Sequence, residues 1–422
     1  MPDPKLIDAC VHCGFCLPAC PTYQSWGEEA DSPRGRIVLM KAMHQGQLLP
    51  SDDARIHFDR CLGCMGCVTA CPSGVKYDAL IEQTRAELER ALPRRPADRI
   101  FRALIFSLFP YPRRWRLALL AALVYQRLGL RWLLRKAGVL RLLPERLRQL
   151  EALMPEVRLK SIAAQTPERT AARGEQRARV LLLLGCVQRA CFPEVNEATL
   201  RVLSAEGCEV IAPRGLGCCG ALSQHAGREE ESLDFARRAI EEIERANVEA
   251  VIVNSAGCGS SMKEWGRAFA KDAAWSARAS AAAAKVKDVS EFLAGLAPRA
   301  ARHPLPLAVA YHDACHLAHA QRIRAQPRAL LASIPGLSLR EIPDGDQCCG
   351  SAGIYNLVQP RSAEEIGGRK LANVLSVGAE ILCSANPGCT LHLASLARER
   401  GVSLKAAHPI ELLDASIRGG RH

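Results

Sequence analysis

Short apolar runs alternate with amphipathic stretches through the second half of the chain. Continuous apolar runs such as residues 180–184 are typical of buried parallel strands, and charged stretches such as 229–246 are typical of helices. The order of strands and helices found after residue 179 recurs after residue 305. Strands are predicted at 180–184, 209–212, 250–254, 307–311, 338–342 and 380–384, and helices at 194–205, 229–246, 325–333 and 363–374. Two consecutive α/β units are therefore expected.

The N-terminal part has a helical pattern instead. Residues 35–47 carry apolar side chains at Ile37, Leu39, Met40 and Met43, and the pair Ser32-Pro33 is a favourable helix start. We therefore expect a helical module here and not a compact β-rich ferredoxin.

The segment between these parts mixes bulky apolar residues with arginine. Pro110 and Pro112 interrupt it, which predicts helices on either side. Between Arg90 and Leu150 there are 15 lysines and arginines against two acids, which gives +13, so the rest of the chain sums to about −1 of the net charge of +12. Arginine on one helix face and Trp, Phe and Leu on the other is typical of a helix lying on anionic lipid. Docking on a partner subunit, an ordinary core helix and, least favoured by the pattern, nucleic-acid binding are the alternatives.

Length and composition narrow the class of protein. A chain of 422 residues is expected to form two to four compact units. No apolar run reaches the roughly 18 residues of a membrane-spanning helix, and the N-terminal residues do not have the pattern of an export signal. The chain nevertheless has 19 cysteines. A cytosolic location keeps thiols reduced, so clustered cysteines indicate metal or cluster ligands.

Two cysteine quartets near the N-terminus carry the strongest signal. Each reads C-x2-C-x2-C-x3-C-P, a spacing in which three thiolates surround one [4Fe–4S] cluster and the fourth binds the other cluster. Gly14, Gly63 and Gly66 are expected to let the backbone turn closely around the inorganic core. One predicted cluster is held by Cys10, Cys13, Cys16 and Cys71, and the second by Cys61, Cys64, Cys67 and Cys20. A pair of zinc sites is the alternative, although zinc cysteines usually come as separated C-x2-C pairs.

The cysteines of the second half repeat at a constant distance. Cys186 and Cys315 are 129 residues apart, and the other three pairs are 130 or 131 apart, which indicates an internal duplication. Each unit places a Cys after a strand, then a Cys-Cys-Gly and a Gly-Cys, at the sheet edge where parallel α/β folds bind ligands. The additional candidate ligands are Cys186, Cys218, Cys219 and Cys258 in the first unit and Cys315, Cys348, Cys349 and Cys389 in the second. Buried cysteines without a ligand role are the alternative.

Other residues near these sites receive supporting roles. His312, Asp313 and His316 surround Cys315, and we expect them to hydrogen-bond around the site because the first unit has no matching histidines. A proton relay and a ligand role are the alternatives. His225 is expected to be structural. Cys191, Cys208 and Cys383 lack counterparts across the repeat and are expected to be unpaired thiols.

Both halves together resemble the iron–sulfur subunit of bacterial glycolate oxidase (glycolate dehydrogenase). The resemblance covers nearly the whole chain and rests on residues 10–23, 31–42 and 59–77 and on the two Cys-Cys-Gly units. Wider relatives with two [4Fe–4S] clusters and double Cys-Cys-Gly domains include the corresponding subunits of anaerobic glycerol-3-phosphate dehydrogenase, lactate-utilisation proteins and heterodisulfide reductase. The fold expected is multidomain α+β: a two-cluster helical module (1–89), a basic helical connector (90–174) and two Cys-Cys-Gly α/β domains (175–304 and 305–422).

The resemblance implies an electron-transfer subunit without a catalytic residue of its own. A partner subunit would hold the flavin that oxidises the hydroxy acid, and this chain, with no flavin or NAD, would pass electrons toward a membrane quinone or another acceptor. The expected location is cytoplasmic, on the inner face of the cell membrane, without nucleic acid. A glycerol-3-phosphate or lactate dehydrogenase subunit and a heterodisulfide-reductase-like thiol/disulfide protein are the alternatives. In the fullest Cys-Cys-Gly motif a fifth Cys stands where this chain has Ser255 and Asn386, so a cubane, a degenerate site and an empty site all stay open.

Overall fold

The computed structural model describes residues 2–157, 159, 162 and 166–420. Its N-terminal module is built from helices. Residues 2–92 contain no strand, as the helical pattern predicts. The cysteine motifs lie in the loops and short turns between the helices α1 (Pro4–Asp8), α2 (Pro21–Trp26), α3 (Pro33–His44), α4 (Asp52–Arg60), α5 (Gly66–Ala70) and α6 (Tyr77–Ala91).

Helix α3 begins where the sequence predicts it. Ser32 caps the helix by accepting a hydrogen bond from the Gly35 backbone N–H at 2.9 Å, and Pro33 occupies the first turn. A Cβ at Gly35 would lie 1.9 Å from the Glu29 carbonyl oxygen, so only glycine fits this approach. The buried side chains of α3 include Ile37, Met40 and Met43, as its apolar positions predict.

The connector is helical and folds back onto the rest of the chain. Its apolar residues Phe101, Ile105 and Phe106 pack against Ile354, Leu357 and Val358 of the second α/β unit. Several of its arginines form ion pairs: Arg94, Arg102 and Arg146 all pair with Asp98. The core-helix alternative therefore applies to the start of the connector. Its helices are α7 (Pro96–Leu108), α8 (Pro112–Arg127), α9 (Leu130–Lys136) and α10 (Glu145–Ala152).

The outer side of α8 and α9 is a different surface. Leu117, Leu120, Val124, Leu128 and Trp132 are between 44 and 70% exposed. No single helix among the described residues is long and apolar enough to cross a membrane, whereas α8 and α9 together, bent by 64°, pass that test by length and composition only.

Two mostly parallel sheets form the second half. The first has the order β1-β3-β2-β4-β5, in which only β1 is antiparallel to its neighbour, and the second is a parallel sheet of order β7-β6-β8-β9. The strands are β1 (Arg169–Thr170), β2 (Ala178–Leu183), β3 (Cys208–Ile211), β4 (Ala250–Val253), β5 (Val286–Asp288), β6 (Ala308–His312), β7 (Ser338–Glu341), β8 (Ile381–Ser384) and β9 (Lys405–Ala407).

The helices of these units lie between the strands. In the first unit they are α11 (Val187–Cys191), α12 (Pro193–Ala205), α13 (Ala221–His225), α14 (Glu229–Ala246), α15 (Ala256–Lys263), α16 (Trp265–Ala268), α17 (Ser276–Lys285) and α18 (Val289–Ala294). In the second they are α19 (Ala325–Ala332), α20 (Tyr355–Val358), α21 (Pro360–Ser376), α22 (Pro387–Glu399) and α23 (Pro409–Ile417). All six predicted strands and four predicted helices are confirmed, with some ends shifted. The strands β1, β5 and β9 were not predicted, because two or three residues are too short to show a pattern.

The two units share one hydrophobic core. Buried residues from both sheets, among them Val180 and Val309, belong to a single apolar cluster together with Leu331 of α19. Helix α12 of the first unit packs on α23 of the second, where Arg201 donates to both carboxylate oxygens of Asp414 at 2.8–3.1 Å. The duplication therefore produces a fused pair and not two independent domains.

A fused core predicts that damage to one unit reaches the other. Leu331→Ala should lower the free energy of unfolding by about 2–5 kcal/mol, because it leaves a cavity at a fully buried site. Hydrogen-exchange mass spectrometry should show reduced protection in both β6 and β2. Leu375→Ala, at a side chain that is 41% exposed, is the control and should change little. Loss of protection confined to the second unit would contradict a shared core.

Candidate iron–sulfur sites

The second N-terminal motif surrounds a small enclosed space. A cavity of about 20 Å³ is lined by Cys61, Cys64 and Cys67 together with Cys20 of the first motif. Cys61 follows the end of α4, Cys67 lies in α5, and Cys20 precedes α2. The structure thus brings together the four thiols predicted for the second cluster, and four converging thiols are the donor set of a [4Fe–4S] cluster. Their ligand roles stay predictions.

Hydrogen-bond donors and cations surround these thiols. The Cys61 sulfur accepts from the Gly63 N–H at 3.4 Å and from the Tyr77 hydroxyl at 3.7 Å, and Thr22 Oγ1 lies 3.2 Å from the Cys20 sulfur. Burial acts to raise the pKa of Cys61, but the charges of Arg36 and Arg85 and these donors outweigh it and lower that pKa. The site is therefore prepared for negative charge on sulfur.

Arg36 is held in place by a buried network. The guanidinium is 1% exposed, donates to the His57 carbonyl at 2.6 Å and pairs with Asp31, which is fully buried. Asp31 also pairs with Arg60 at 2.8 Å and with His57 at 3.0 Å. A fixed cation beside Cys61 was not predicted, since the pattern of α3 shows only that Arg36 lies on a helix.

The two motifs share an unusual backbone. In each motif the residues on both sides of the second Cys have a left-handed conformation. Around Cys13, φ is 54° at His12 and 88° at Gly14. Around Cys64, φ is 62° at both Gly63 and Met65. Gly14 and Gly63 therefore supply left-handed turns around the motif, as expected. Gly66 does not have a left-handed conformation; it begins α5, where a Cβ would approach the Ala19 carbonyl oxygen at 3.1 Å.

The two predicted cluster sites differ in exposure. Of the cysteines predicted for the first cluster, Cys13 is exposed and Cys10, Cys16 and Cys71 are partly buried. Of those predicted for the second, Cys20, Cys61 and Cys67 are buried and Cys64 is partly buried. The first predicted cluster site therefore lies nearer the surface than the second.

Each Cys-Cys-Gly unit arranges its four cysteines in one row. In the first unit Cys186 contacts Cys218, Cys218 contacts Cys219, and Cys219 contacts Cys258. The second unit repeats this order with Cys315, Cys348, Cys349 and Cys389. All eight predicted thiols are thus brought together in two sets of four.

The glycine of each motif is required by its surroundings. Gly220 and Gly350 have φ of 87° and 86°, and a Cβ would lie 2.7 Å from the Ser232 carbonyl oxygen and 2.6 Å from that of Ala363. The Gly220 N–H also donates to the Cys218 sulfur at 3.4 Å. A helix therefore packs directly on each cysteine turn.

The thiols are too crowded to ionise together without a cation. Hydrogen bonding to a neighbouring thiol, with burial, raises the pKa of Cys218, Cys258 and Cys315 well above the ordinary value. Bound iron would compensate that charge, so both sets fit an iron–sulfur group.

Ser255 and Asn386 contact sulfur without replacing the missing cysteine. Asn386 Nδ2 donates to the Cys389 sulfur at 3.3 Å, while its Oδ1 accepts from the Gly257 N–H at 3.4 Å across the unit boundary. The Ser255 side chain hydrogen-bonds Cys258. Both residues thus support the last cysteine of their row.

One cavity of about 350 Å³ connects the two rows. Cysteines of both units line one side, and Leu108, Phe109, Trp115, Leu119 and Ala122 of the connector line the other. The rings of His225 and His316 also line it, with centroids 4.9 Å apart, and the Nε2 atom of each is buried without a hydrogen-bond partner among the described residues. A cavity of this size falls within the range of small-molecule sites.

The second motif borders the second unit directly. Leu62 and Cys64 pack with Cys315, Cys348 and Tyr355 in one cluster. Thr69 of α5 is hydrogen-bonded to His319 across 2.7 Å. Predicted cysteines thus form a continuous series from the exposed first motif to the interior cavity, a juxtaposition that sequence spacing does not reveal.

The remaining predicted residues separate into different environments. Asp313 forms a two-pronged ion pair with Arg328 at 2.7–2.8 Å, so it faces away from the sulfur row. His312 is fully buried, and its ring lies near Cys349 and Cys389. Burial lowers the pKa of His312 to about 3 and that of His316 to about 4, so both rings are neutral. His225 ends α13 and faces the cavity.

The three cysteines without counterparts lie apart from the rows. Cys208 and Cys383 are buried within β3 and β8, and Cys191 ends α11 at the edge of the cavity. Burial raises the pKa of Cys191 to about 12 and that of Cys208 to about 11, which keeps both thiols protonated.

We expected the dinucleotide-binding spacing G-x-G-x-x-G to be absent from this chain, and that expectation is wrong, because the spacing occurs at 215–220, around the first Cys-Cys-Gly. In dinucleotide sites this spacing connects a strand to a helix whose N-terminus binds phosphate. Here Cys218 and Cys219 occupy its centre, and the helix that follows, α13, has five residues. The residues of this segment therefore belong to the first cysteine row.

Comparison with known proteins agrees with this architecture. A family model described as a 4Fe–4S dicluster domain matches residues 6–75, and one described as a cysteine-rich domain matches 180–263 and again 309–394. A third, described as the linker region of the glycolate oxidase iron–sulfur subunit, matches 97–154. Fold and sites thus define an iron–sulfur protein with a two-cluster module and a duplicated cysteine-rich domain.

Full-length relatives define the family. The chain is 39% identical to a probable glycolate oxidase iron–sulfur subunit of Bacillus subtilis, over 98% of this chain and 94% of that protein. It is 35% identical to the glycolate oxidase iron–sulfur subunit of Escherichia coli, over 98% and 95%. Lactate utilization protein A of Exiguobacterium is 29% identical over 57% of this chain and 98% of its own length. The chain belongs to the family of glycolate oxidase iron–sulfur subunits.

A solved structure of a hypothetical protein from Helicobacter pylori shares the fold. It covers 92% of this chain and 68% of its own, with a TM-score of 0.54 and 10% sequence identity.

The prediction that the fourth Cys of each motif binds the cluster of the other motif can be tested with Cys20→Ala. The spectrum of the reduced variant should match that of Cys64→Ala and not that of Cys13→Ala, because the Cys20 thiol lines the second-motif cavity. Electron paramagnetic resonance with iron counting makes the comparison, and Cys208→Ala, a buried cysteine of β3, is the control. A Cys20→Ala spectrum like that of Cys13→Ala would refute the crossing.

The Tyr77 hydroxyl should raise the reduction potential of the second-motif cluster, because a donor to sulfur stabilises the more negative reduced state. Tyr77→Phe should lower that potential by on the order of 20–60 mV, the equivalent of about 0.5–1.5 kcal/mol for one hydrogen bond and one electron. Redox titration measures the shift. Tyr311→Phe removes a buried hydroxyl in β6 and should leave this potential unchanged; equal shifts in both variants would argue against the assignment.

Proposed function

We propose that this chain is the electron-transfer subunit of a membrane-associated 2-hydroxy acid dehydrogenase that oxidises glycolate. Electrons would come from flavin on a partner subunit and leave to a quinone-type acceptor. The observation that carries the proposal is the continuous series of cysteines from the exposed Cys13, through the buried second motif, to the cavity between the two units. Iron–sulfur clusters suit such a series because each accepts and releases single electrons with little change in geometry.

The substrate class is inferred from the relatives. The two full-length relatives are named for glycolate oxidase, and the match to the linker model is specific to that subunit. Lactate utilization proteins match only over 57% of the chain. Glycolate is therefore the substrate that we assign to the complex, with its oxidation on the flavin subunit.

The cavity supports a quinone-type acceptor. Reduction of a quinone takes two electrons and two protons, which balances the oxidation of glycolate to glyoxylate. The apolar wall of Phe109, Trp115 and Leu119 suits an aromatic headgroup, and the Nε2 atom of His225 suits one of its carbonyl oxygens as a hydrogen-bond donor. The cysteine rows form the facing wall.

The same helix that closes the cavity supports membrane association. Trp115, Leu119 and Ala122 of α8 line the cavity, whereas Leu117, Leu120 and Val124 on its other side are exposed. Arg113, Arg114 and Arg116 begin this helix, and all three are exposed. An apolar stripe beside exposed arginines matches the acyl chains and headgroups of an anionic membrane, and a lipid-dissolved acceptor would then lie next to the cavity.

The division of labour between subunits can be tested by expression. The isolated chain should contain iron and sulfide but no stoichiometric flavin, and it should not oxidise glycolate with an artificial acceptor. Co-expressed with the flavin subunit from the same genome, it should co-purify with it and pass electrons from glycolate to a soluble quinone analogue. Stoichiometric flavin in the chain expressed alone would contradict the proposal.

Membrane association can be tested by liposome flotation. The chain should float with anionic vesicles at low salt, and binding should weaken at high salt because each lipid-facing cation contributes about 1 kcal/mol. The triple change Arg113→Ala, Arg114→Ala and Arg116→Ala should reduce flotation strongly, as should Leu117→Gln with Leu120→Gln and Val124→Gln.

The matched control removes the same charge elsewhere. Arg214, Arg238 and Arg340 are exposed arginines of the α/β units, and their triple change to Ala should leave flotation nearly unchanged. Equal losses in the two arginine triples would indicate a net-charge effect. No flotation under any condition would assign the apolar stripe to a partner subunit.

A further inference from the structure

The two Cys-Cys-Gly units differ at the end of their first strand. Leu183 is the last residue of β2 and pairs with Val253 of β4, while His312 is the last residue of β6 and pairs with Ser384 of β8. His312 therefore occupies the position of Leu183. A buried leucine in one copy and a buried histidine in the other is a chemical difference at the same place beside the cysteine row.

The His312 ring faces sulfur. A ring nitrogen of His312 and the sulfurs of Cys349 and Cys389 all lie within 4.8 Å of one another. All three side chains are buried. Such a set of one imidazole nitrogen and two thiols is able to bind a single metal ion.

The His312 ring has no hydrogen-bond partner among the described residues. Neither Nδ1 nor Nε2 makes a hydrogen bond there, and the residue is 0% exposed. A buried polar ring without partners is unfavourable unless something else satisfies it. Asp313, next in the chain, is committed to Arg328, and the Lys370 ammonium donates to the Asp344 carbonyl at 2.5 Å.

We propose that His312 is an iron ligand of the second Cys-Cys-Gly site, which makes this site a mixed imidazole–thiolate centre, whereas the first site has thiolates alone. Histidine replaces cysteine on iron in other protein clusters, so the chemistry has precedent. Asn386 does not compete for this position, because it donates to the Cys389 sulfur.

The proposal has a consequence for redox potential. A neutral imidazole leaves the centre less negative than a thiolate would, and the buried Lys370 adds a positive charge near Cys348 and Cys349. The corresponding turn of α14 in the first unit carries the apolar Ala239 and Ile240. The second site should therefore have a higher reduction potential than the first.

The test is electron–nuclear double resonance on the full chain, purified anaerobically after growth with ¹⁵N-histidine. Wild-type protein should show a large ¹⁵N coupling, typical of a directly bonded nitrogen, in one reduced cluster signal. His312→Cys should retain the iron content but lose this coupling, and His312→Ala should lose both the coupling and part of the iron. His392→Gln is the matched control, because His392 is buried in the same unit and contacts the Ala363 carbonyl instead of sulfur.

Four results would overturn the proposal. The first is wild-type protein without a strongly coupled histidine nitrogen, and the second is a coupling that persists in His312→Ala. The third is an iron content in His312→Ala equal to that of wild type, and the fourth is zinc in place of iron in wild-type protein. None of these readouts requires turnover, so the result does not depend on which hydroxy acid the complex oxidises.

Discussion

Crowding of thiols in a low-dielectric interior is the constraint on which the structure depends. Most of the predicted ligand cysteines are buried, and in each Cys-Cys-Gly unit four of them lie in contact. Thiolates so close together repel one another, while neutral thiols give up their affinity for metal. Arg36, Arg85 and Tyr77 stabilise negative charge at Cys61. Bound iron would compensate the charge of the other thiolates. Turns, caps and helix packing around the cysteines follow from the need to hold them at these positions.

Tight turns are the backbone counterpart of that constraint. Left-handed conformations recur at equivalent positions of the two N-terminal loops and at the glycines of both Cys-Cys-Gly motifs. At Gly220 and Gly350 a helix packs so closely that a side chain would collide with its backbone. The two units also share one apolar cluster on another face of their sheets, and the cysteine rows line a common cavity.

The local features of the fold could be predicted from the sequence, whereas contacts between distant residues could not. The strands and helices were predictable because hydrophobic periodicity is local, and the repeat because cysteine spacing survives duplication. The contact of Cys64 with Cys315 and Cys348 joins residues about 250 to 280 positions apart, which no spacing rule relates. The connector shows the same limit: its composition indicates an amphipathic helix, but not that Phe101 and Phe106 face the second unit while Leu117 and Leu120 face outward. His312 was expected to hydrogen-bond, with a ligand role as an alternative, because a residue without a counterpart in the first unit gives no pattern to follow.

Duplication followed by divergence explains why the two units are not equivalent. Their strand order, glycine conformations and cysteine rows agree, so the scaffold of each site has been retained. The differences lie in the residues around the rows, with His312 and Lys370 in the second unit where the first has Leu183 and the apolar turn of Ala239 and Ile240. The second row also borders the two-cluster module, whereas the first row borders Tyr111 and Phe235. The row that contacts the N-terminal module thus has an imidazole and a lysine beside it, where the other row has apolar side chains. Two copies of one fold therefore present unequal electrostatic environments at the two sides of a single cavity.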